Sequence, residues 1–189
     1  MDNIIHPFQI PIYQSFIEQD LLTQIKEDTN YYIEKNPTKF DVKWYCPTKS
    51  CFINPKEPYF LKIKDSIKNH VSKYFDVWKF QEDINLKVDE IWINIASKDA
   101  YQEEHYHNSF FSGVLYLETF SGSGSIHFMN PLSTEAMVMN LPKTFDFAHK
   151  IQPTNGMILI FPSWLTHRVM SNNSNNNRIT IAFNIQQIK

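Results

Sequence analysis

The chain has 189 residues, of which 42% are apolar and 15% are aromatic, and its formal net charge is −2. This composition predicts a globular protein with enough length to bury a core, and it excludes a disordered chain. Residues 1–90 carry 12 lysines against 14 acids and residues 91–189 carry 6 bases against 6 acids, so there is no basic face of the kind that nucleic-acid binding needs.

Membrane and secretory segments are not expected. No apolar run approaches the roughly 20 residues of a membrane span, and the N-terminus lacks the basic start and long apolar stretch of a secretory signal. Cys46 and Cys51 are the two cysteines, without a second ligand pair at zinc-finger spacing. We interpret them as free thiols in a reducing, cytoplasmic setting.

The first half of the chain reads as two helices with irregular connections. Residues 3–13 are predicted to be extended, and because Pro7 and Pro11 interrupt them, any strand there lies at a sheet edge. Residues 14–35 fit a helix that ends near Pro37. Residues 38–56 are predicted to be loop or short strand, and residues 57–75 form a second helix with apolar residues at steps of three and four.

The second half reads as strands. The predicted strands are 86–97, 110–119, 124–129, 156–161, 167–171 and 178–187. Residues 121–124 (Ser-Gly-Ser-Gly) form a turn, and the polar residues 171–177 are interpreted as a hairpin turn. Six strands after two helices indicate an α+β chain, mainly β, whose second half is a sandwich or roll. We expect a single domain, 1–189, in which helices within 1–85 pack outside a core formed by 86–189.

Three histidines are candidate metal ligands. His105 and His107 are two residues apart, so on a strand they face the same side. His167 follows the apolar strand that ends at Phe161. Two ligands from one strand end and a third from a distant strand is a pattern typical of non-haem iron, which usually has two histidines and one carboxylate. A His-x-His pair alone is weak evidence, and the interpretation depends on the residues around it.

Arg178 and Thr180 lie two residues apart on the last predicted strand and face the same side. A guanidinium can hold a carboxylate through two parallel hydrogen bonds, and a neighbouring hydroxyl can add a third. The alternative is a surface arginine that caps the polar turn. The apolar residues that follow Arg178 favour a buried position, where the cation needs an anionic partner.

Three further polar residues are candidates for the same pocket. Asn94 lies between two isoleucines on a half-buried strand, where it either bonds a neighbouring loop or meets a ligand. Ser112 and Tyr116 share one face of another strand and could reach the same space.

Several segments resemble the iron(II)- and 2-oxoglutarate-dependent dioxygenases, especially a group of short oxygenases from phages and marine bacteria. They appear in the family's order over residues 86–187. The matching segments are 90–94 (EIWIN), 105–107 (HYH), 112–117 (SGVLYL), 124–128 (GSIHF), 156–167 (GMILIFPSWLTH) and 178–184 (RITIAFN).

This resemblance implies a double-stranded β-helix, that is, a cupin-like jelly roll. It implies that His105 and His167 bind Fe(2+), that Arg178 and Thr180 hold the far carboxylate of 2-oxoglutarate, and that Asn94 and Tyr116 contact this co-substrate. It also implies decarboxylation to succinate and CO2, with O2 as co-substrate, and oxidation of a substrate, typically by hydroxylation.

The second ligand departs from the wider family. Where that family has Asp or Glu, this chain has His107, which leaves the site one negative charge short. The alternative function is a metal-binding cupin-like protein, or a three-histidine oxygenase that does not use 2-oxoglutarate. A third alternative is a non-catalytic protein that keeps the roll.

The substrate is left open as a small molecule or a peptide, and a homodimer is one assembly that the sequence allows. Four aromatic residues are candidate walls of the site or members of the core: Phe110, Phe111, Phe128 and Trp164. The long stretch 132–155 could cover the site as a lid.

Overall fold

The computed structural model describes residues 9–43, 47–54, 57–79, 84–132 and 147–188. In chain order its elements are β1 (Tyr13–Phe16), α1 (Gln19–Lys35), β2 (Val42–Lys43), β3 (Lys49–Ile53), α2 (Leu61–Trp78), β4 (Asn85–Ala96), β5 (Gln102–His105), β6 (Phe111–Glu118), β7 (Ile126–Met129), β8 (Ala148–Ile151), β9 (Met157–Pro162), β10 (His167–Val169) and β11 (Arg178–Ile188). Short 3-10 turns, Pro37–Asp41 and Pro58–Phe60, precede β2 and α2.

The strands form two antiparallel sheets. The larger has the order β1-β9-β6-β11-β4-β3-β2, and the smaller has the order β5-β10-β7-β8. Strands β4 to β11 cross from one sheet to the other along the chain, except that the consecutive strands β7 and β8 both lie in the smaller sheet. This gives two four-stranded layers, with β1, β3 and β2 added at the edges of the larger sheet. The fold is therefore the jelly roll that the resemblance implied, and the α+β, mainly β class is confirmed.

The two faces of the larger sheet have different neighbours. On one face, Ile91, Ile93 and Ile181 belong to a core cluster that also contains buried residues of both helices, such as Ile25 and Ile67. The opposite face points into the roll, because successive side chains of a strand alternate between faces. The prediction that the N-terminal helices pack outside the sheet is confirmed.

The first predicted helix begins later than expected. Residues 13–16 form β1, which pairs with β9 (Tyr13 opposite Ile160 and Phe16 opposite Met157), and the helix starts only at Gln19. The hydrogen bonds available at the edge of β9 decide this conformation, and a helical pattern in the local sequence does not contain that information. As predicted, this N-terminal strand lies at a sheet edge, although residues 3–8 of the predicted extended segment lie outside the described residues.

Two strands were missed. β5 has the sequence QEEH and β8 the sequence AHKI, so neither shows a clear apolar alternation. Both are strands because of their partners, β10 for β5 and β7 for β8. The predicted lid, 132–155, was wrong at residues 148–151, which are part of the smaller sheet; residues 133–146 lie outside the described residues.

The predicted turns are present, but their connections differ from a hairpin. Residues 171–177 join β10 in the smaller sheet to β11 in the larger sheet, so the hairpin interpretation was wrong. Asn172 is fully buried there and donates its amide to the carbonyls of Ala96 (2.8 Å) and Asn176 (2.7 Å). This buried amide gives the polar turn a single conformation.

Neither helix is long and apolar enough to cross a bilayer, a finding limited to the described part of the chain. Cys51 is a buried free thiol, and burial raises the pKa of its thiol. Cys46 lies outside the described residues.

Candidate functional site

A cavity lies between the two sheets, inside the roll. Strands of both layers contribute to it, and every residue predicted to bind the metal or the co-substrate lines it. Its lining consists of Thr48, Trp92, Asn94, Ala96, Gln102, His105, His107, Ser112, Gly113, Val114, Tyr116, Ile126, Phe161, His167, Val169, Arg178, Thr180 and Ala182.

The three histidines converge. His105 at the end of β5 lies directly opposite His167 on β10 in the strand register, and their ring centroids are 4.4 Å apart. The centroid of His107 lies 5.2 Å from that of His105 and 5.3 Å from that of His167. One nitrogen from each ring lies within 4.8 Å of the others, so a single metal ion could contact all three.

Two of the imidazoles are oriented by backbone carbonyls. Nδ1 of His105 lies 2.6 Å from the carbonyl oxygen of Glu103, and Nδ1 of His167 lies 2.9 Å from that of Leu165. Because a carbonyl only accepts, Nδ1–H donates in both cases and the Nε2 lone pair is left for a metal. His107 has no such bond among the described residues, but its backbone N–H donates to Ser163 (2.9 Å).

The buried histidines are neutral at physiological pH. Burial, together with the neighbouring His105, lowers the pKa of His107 to about 4. Burial is also the main cause that lowers the pKa of His167 to about 3. A neutral imidazole is the form that binds metals.

Arg178 is buried at the start of β11, with only 3% of its surface exposed. Its Nη1 donates to the carbonyl oxygens of Ser123 and Met170. It forms no ion pair with any carboxylate among the described residues. Burial lowers the pKa of Arg178, but a guanidinium stays protonated in proteins. A buried cation without an anionic partner is costly, and an anionic ligand in the cavity would offset that cost.

A row of polar side chains crosses the larger sheet beside Arg178. Thr180 on β11 lies opposite Asn94 on β4 and opposite Tyr116 on β6. Asn94 accepts a 2.5 Å hydrogen bond from Ser50 through Oδ1, so its amide nitrogen is the group left for a ligand. Burial raises the pKa of Tyr116 above its usual range, which keeps its hydroxyl protonated and able to donate.

Ser112 lines the same cavity, but its hydroxyl is already engaged. It donates to Oδ1 of Asn184 (2.8 Å) and lies 2.7 Å from Oγ of Ser163. Its contacts indicate a role in holding Asn184 and Ser163, in addition to the predicted role in co-substrate binding.

Of the four aromatic residues that were candidates for the walls or the core, Phe110, Phe111 and Phe128 pack in the core clusters, and Trp164 does neither. Phe111 faces the helices, with its ring 4.7 Å from that of Tyr74, because Ser112 takes the inward position on β6. Phe110 packs on the same outer cluster, and Trp164 is 53% exposed. Phe128 packs behind the histidines, with its ring 5.9 Å from that of His167.

The aromatic residues that line the cavity, besides the histidines, are Trp92, Tyr116 and Phe161. Trp92 could have been found from the sequence, because it alternates with Ile91 and Ile93 and shares the face of Asn94. Gln102 was missed together with β5. Ser50 carried no signal, because its partner Asn94 is 44 residues away in the chain.

The residues present fit a metal ion and a dicarboxylate. Three imidazole nitrogens suit iron and similar metals. Arg178, Thr180, Asn94 and Tyr116 supply one cation and several hydrogen-bond donors to the same cavity. The donor set therefore matches an anionic co-substrate that also reaches the metal.

Solved structures with the same architecture are numerous. The chain is similar to a prolyl-4-hydroxylase from Pseudomonas putida, with a TM-score of 0.68, 14% identity, and coverage of 95% of this chain and 94% of the other. It is also similar to a Trichoplax adhaerens prolyl hydroxylase in complex with a peptide fragment of the oxygen degradation domain of hypoxia inducible factor, with a TM-score of 0.64, 13% identity, and coverage of 95% and 83%.

A third similar structure carries ligands. HygX from Streptomyces hygroscopicus, with nickel, 2-oxoglutarate and hygromycin B bound, has a TM-score of 0.63, 13% identity, and coverage of 94% of this chain and 83% of the other. At such identities these likenesses bear on the fold alone. No curated protein matches the chain in sequence.

Family membership comes from the sequence of the roll itself. Residues 90–184 match a family described as "Putative 2OG-Fe(II) oxygenase". The matched segment covers half of the chain and contains the three histidines, Asn94, Tyr116, Arg178 and Thr180. The chain therefore belongs to the 2-oxoglutarate- and iron(II)-dependent oxygenases, a family of oxidoreductases.

Proposed function

We propose that this chain hydroxylates a small-molecule or peptide substrate, using His105, His107 and His167 to bind iron(II). The single observation that carries the proposal is the joint position of two groups in one cavity. Three imidazole nitrogens lie within 4.8 Å of one another, and a buried guanidinium without a carboxylate partner lines the same space.

The cofactors of the family are iron(II) and 2-oxoglutarate, with O2 as co-substrate. When bound, they supply oxygen activation: one oxygen atom oxidises the substrate C–H bond to C–OH, and the other converts 2-oxoglutarate to succinate and CO2. The protein contributes binding, orientation and exclusion of water.

Each residue has a role that its contacts support. The carbonyls of Glu103 and Leu165 hold the His105 and His167 rings so that Nε2 faces the metal. Arg178 would bind the distal carboxylate of 2-oxoglutarate, because it is the buried cation of the cavity, with Thr180 donating beside it. Tyr116 and Asn94 would donate further hydrogen bonds to the co-substrate from the neighbouring strands.

The substrate class has support from the structural neighbours. One neighbour is a prolyl hydroxylase with a peptide bound and another holds hygromycin B. Both a peptide and a small molecule therefore fit this architecture.

We further propose that residues 1–189 act as a single domain in the cytoplasm, with 1–85 supporting the roll. Light scattering on the purified protein would distinguish a monomer from a homodimer.

The proposal is tested by anaerobic mixing of the protein with Fe(II) and 2-oxoglutarate. The wild type should give a weak visible charge-transfer band. His167→Ala should abolish the band because iron is lost, and Arg178→Ala should require a higher 2-oxoglutarate concentration for the same band.

A matched control is Arg168→Ala. Arg168 follows His167 on β10 and does not line the cavity, so the band should persist. Circular dichroism would verify that each variant is folded. A folded wild type without a band would contradict the proposal and favour the alternative of a metal-binding roll that does not use 2-oxoglutarate.

A further inference from the structure

A second space opens outside the histidines, and we call it the outer groove. Its volume is about 660 Å³, within the range of sites that bind small molecules or single side chains. The outer groove shares Trp92, Gln102, His105 and His107 with the inner cavity. An occupant of this groove would therefore contact the candidate metal centre from the side opposite to the interior of the roll.

The charge of the outer groove is one-sided. Among the described residues, its lining includes the carboxylates of Asp89, Glu90, Glu103 and Glu104 and no lysine or arginine. Asp89 is neutralised by an ion pair with Lys87 (2.8 Å). Glu103 and Glu104 are exposed and form no ion pair among the described residues. The groove thus keeps an uncompensated negative potential next to the site of oxidation.

One of these carboxylates is held by a buried polar chain. Oε2 of Glu90 accepts a 2.7 Å hydrogen bond from Nδ2 of Asn184, and Asn184 is only 6% exposed. Oδ1 of Asn184 in turn accepts from Ser112, whose hydroxyl also meets Ser163 (2.7 Å). The chain runs from the lining of the inner cavity to the outer groove, so the Glu90 carboxylate has an ordered position on the groove wall.

Aromatic faces accompany the carboxylates. Phe52 and Trp92 pack against each other on the groove wall with their rings tilted by 42° and their centroids 5.6 Å apart. Tyr106 is 68% exposed. Aromatic faces attract cations and also pack against apolar chains. Carboxylates and aromatic rings together suit a ligand with a cationic end and an apolar stem.

We infer that the outer groove binds a substrate that carries a protonated amine or guanidinium group, and that it presents the apolar stem of this substrate to the metal centre. This inference rests on the proposed function and specifies its substrate class. The two spaces then bind ligands of opposite charge. Arg178 binds the anionic co-substrate inside the roll, and the groove carboxylates bind the cationic substrate outside it. A lysine- or arginine-containing peptide and a free organic amine share this chemistry.

The test is binding of three peptides of equal length that carry an uncharged dye. The peptides are identical except at two positions. These positions are lysine and arginine in the basic peptide, two glutamines in the neutral peptide, and two glutamates in the acidic peptide. Fluorescence anisotropy with the purified full chain should give the tightest binding for the basic peptide and the weakest for the acidic one. Binding of the basic peptide should weaken as salt increases, because the charges are exposed.

A pair of double variants locates the site. Glu103→Gln with Glu104→Gln should weaken the basic peptide roughly fivefold or more, since each exposed pair contributes a modest amount. Asp65→Asn with Asp76→Asn makes the same change in net charge on α2, where both residues are exposed, and should leave binding unchanged. Glu103→Lys with Glu104→Lys should reverse the preference toward the acidic peptide.

A competition experiment distinguishes a free amine from a peptide as the ligand of the groove. If spermidine displaces the basic peptide at concentrations below the dissociation constant of that peptide, the ligand is a free amine. If spermidine competes more weakly, the ligand is a peptide. Equal binding of the basic and acidic peptides, or equal weakening by both double variants, would overturn the inference. If the charge-transfer band forms but the basic peptide is not preferred, the inference fails and the proposed function stands. If the basic peptide is preferred but the charge-transfer band does not form, the proposed function alone is overturned.

Discussion

At the scale of single residues, the orientation of His105 and His167 depends on hydrogen bonds to nearby residues of the same chain segment. Each ring donates Nδ1–H to the carbonyl two residues earlier, Glu103 in one case and Leu165 in the other. The two imidazoles therefore carry the correct tautomer for a metal before any metal arrives. His107 is held differently, by ring contacts with Trp92 at 5.7 Å and with the other two histidines.

Substitution of His107 tests its role as the third ligand. His107→Asp should keep iron(II) binding, because a carboxylate is a good ligand for this ion and supplies the negative charge that the wider family has there. His107→Ala should weaken iron(II) binding by at least about tenfold. The loss of a ligand should reduce the affinity at least as much as the loss of a hydrogen-bond partner of a ligand does. Competition with a chromogenic chelator would measure both affinities.

The control for these variants is His149→Ala. His149 is an exposed histidine on β8, so its removal should leave iron binding unchanged. An unchanged affinity of His107→Ala would show that His107 is not a ligand.

At the scale of elements, β11 connects the core to the site. It pairs with β4 on one side and with β6 on the other. Its odd residues Ile181 and Phe183 enter the core cluster under the helices, whereas Arg178 and Thr180 line the cavity. The strength of this strand's packing therefore determines how firmly Arg178 and Thr180, the residues proposed to bind the co-substrate, are held in place.

The packing between β6 and β11 is tight at Gly113. A Cβ added there would overlap the ring of Phe183 and the carbonyl oxygen of Leu159. We therefore expect Gly113→Ala to lower the free energy of unfolding by about 1–3 kcal/mol, as overpacked cores do. Urea denaturation of the purified variant would measure this change.

The cause can be separated by a double-mutant cycle. Phe183→Leu removes ring atoms that the new methyl group would meet, so Gly113→Ala should be less destabilising in the Phe183→Leu background. Strictly additive effects of the two substitutions would contradict the proposed overlap.

At the scale of the whole molecule, two buried clusters lie on the two sides of the larger sheet. One cluster joins the sheet to α1 and α2, and the other fills the end of the roll beside the cavity. In this arrangement His167 is buried, and His105 and His107 are half-buried. Their burial makes the stability of the metal-free protein depend on pH.

The sign of that dependence follows from the lowered pKa values. In the unfolded chain a histidine has a pKa of about 6.5, whereas burial lowers that of His107 to about 4 and that of His167 to about 3. Below about pH 6.5 the unfolded state therefore binds protons that the folded state does not, and the free energy of unfolding decreases as pH falls. Above about pH 6.5 these two residues should add no pH dependence.

Denaturation of the metal-free protein between pH 7 and pH 5 would measure this slope, in a range where most carboxylates stay ionised. His107→Asn should have a shallower slope than the wild type, because one lowered pKa is removed. A stability that does not change over this range would contradict the burial of neutral histidines.

Local sequence was sufficient where a periodic pattern decided the structure. The alternation of Ile91 and Ile93 with Trp92 and Asn94 assigned each residue to a face of β4, and the same rule placed Thr180 beside Arg178 on β11. These predictions held because strand periodicity is a property of neighbouring residues. The spacing of His105 and His107 also predicted that their rings meet, although β5 ends at His105 and His107 follows it outside the strand.

Tertiary structure decided what depends on distant partners. The polar segment Gln102–His105 is a strand only because β10 supplies its hydrogen bonds, and Tyr13–Phe16 leaves the predicted helix because β9 offers an edge. The bond from Ser50 to Asn94 and the position of Asp89 and Glu90 beside the histidines arise from pairing across long stretches of chain, whereas Glu103 and Glu104 precede His105 directly in the sequence. The sequence by itself thus determined the family, the faces of the main strands and the candidate ligands. Only the folded sheets decided which walls enclose the site and which charges surround its entrance, because pairing between distant strands leaves no local periodic signal.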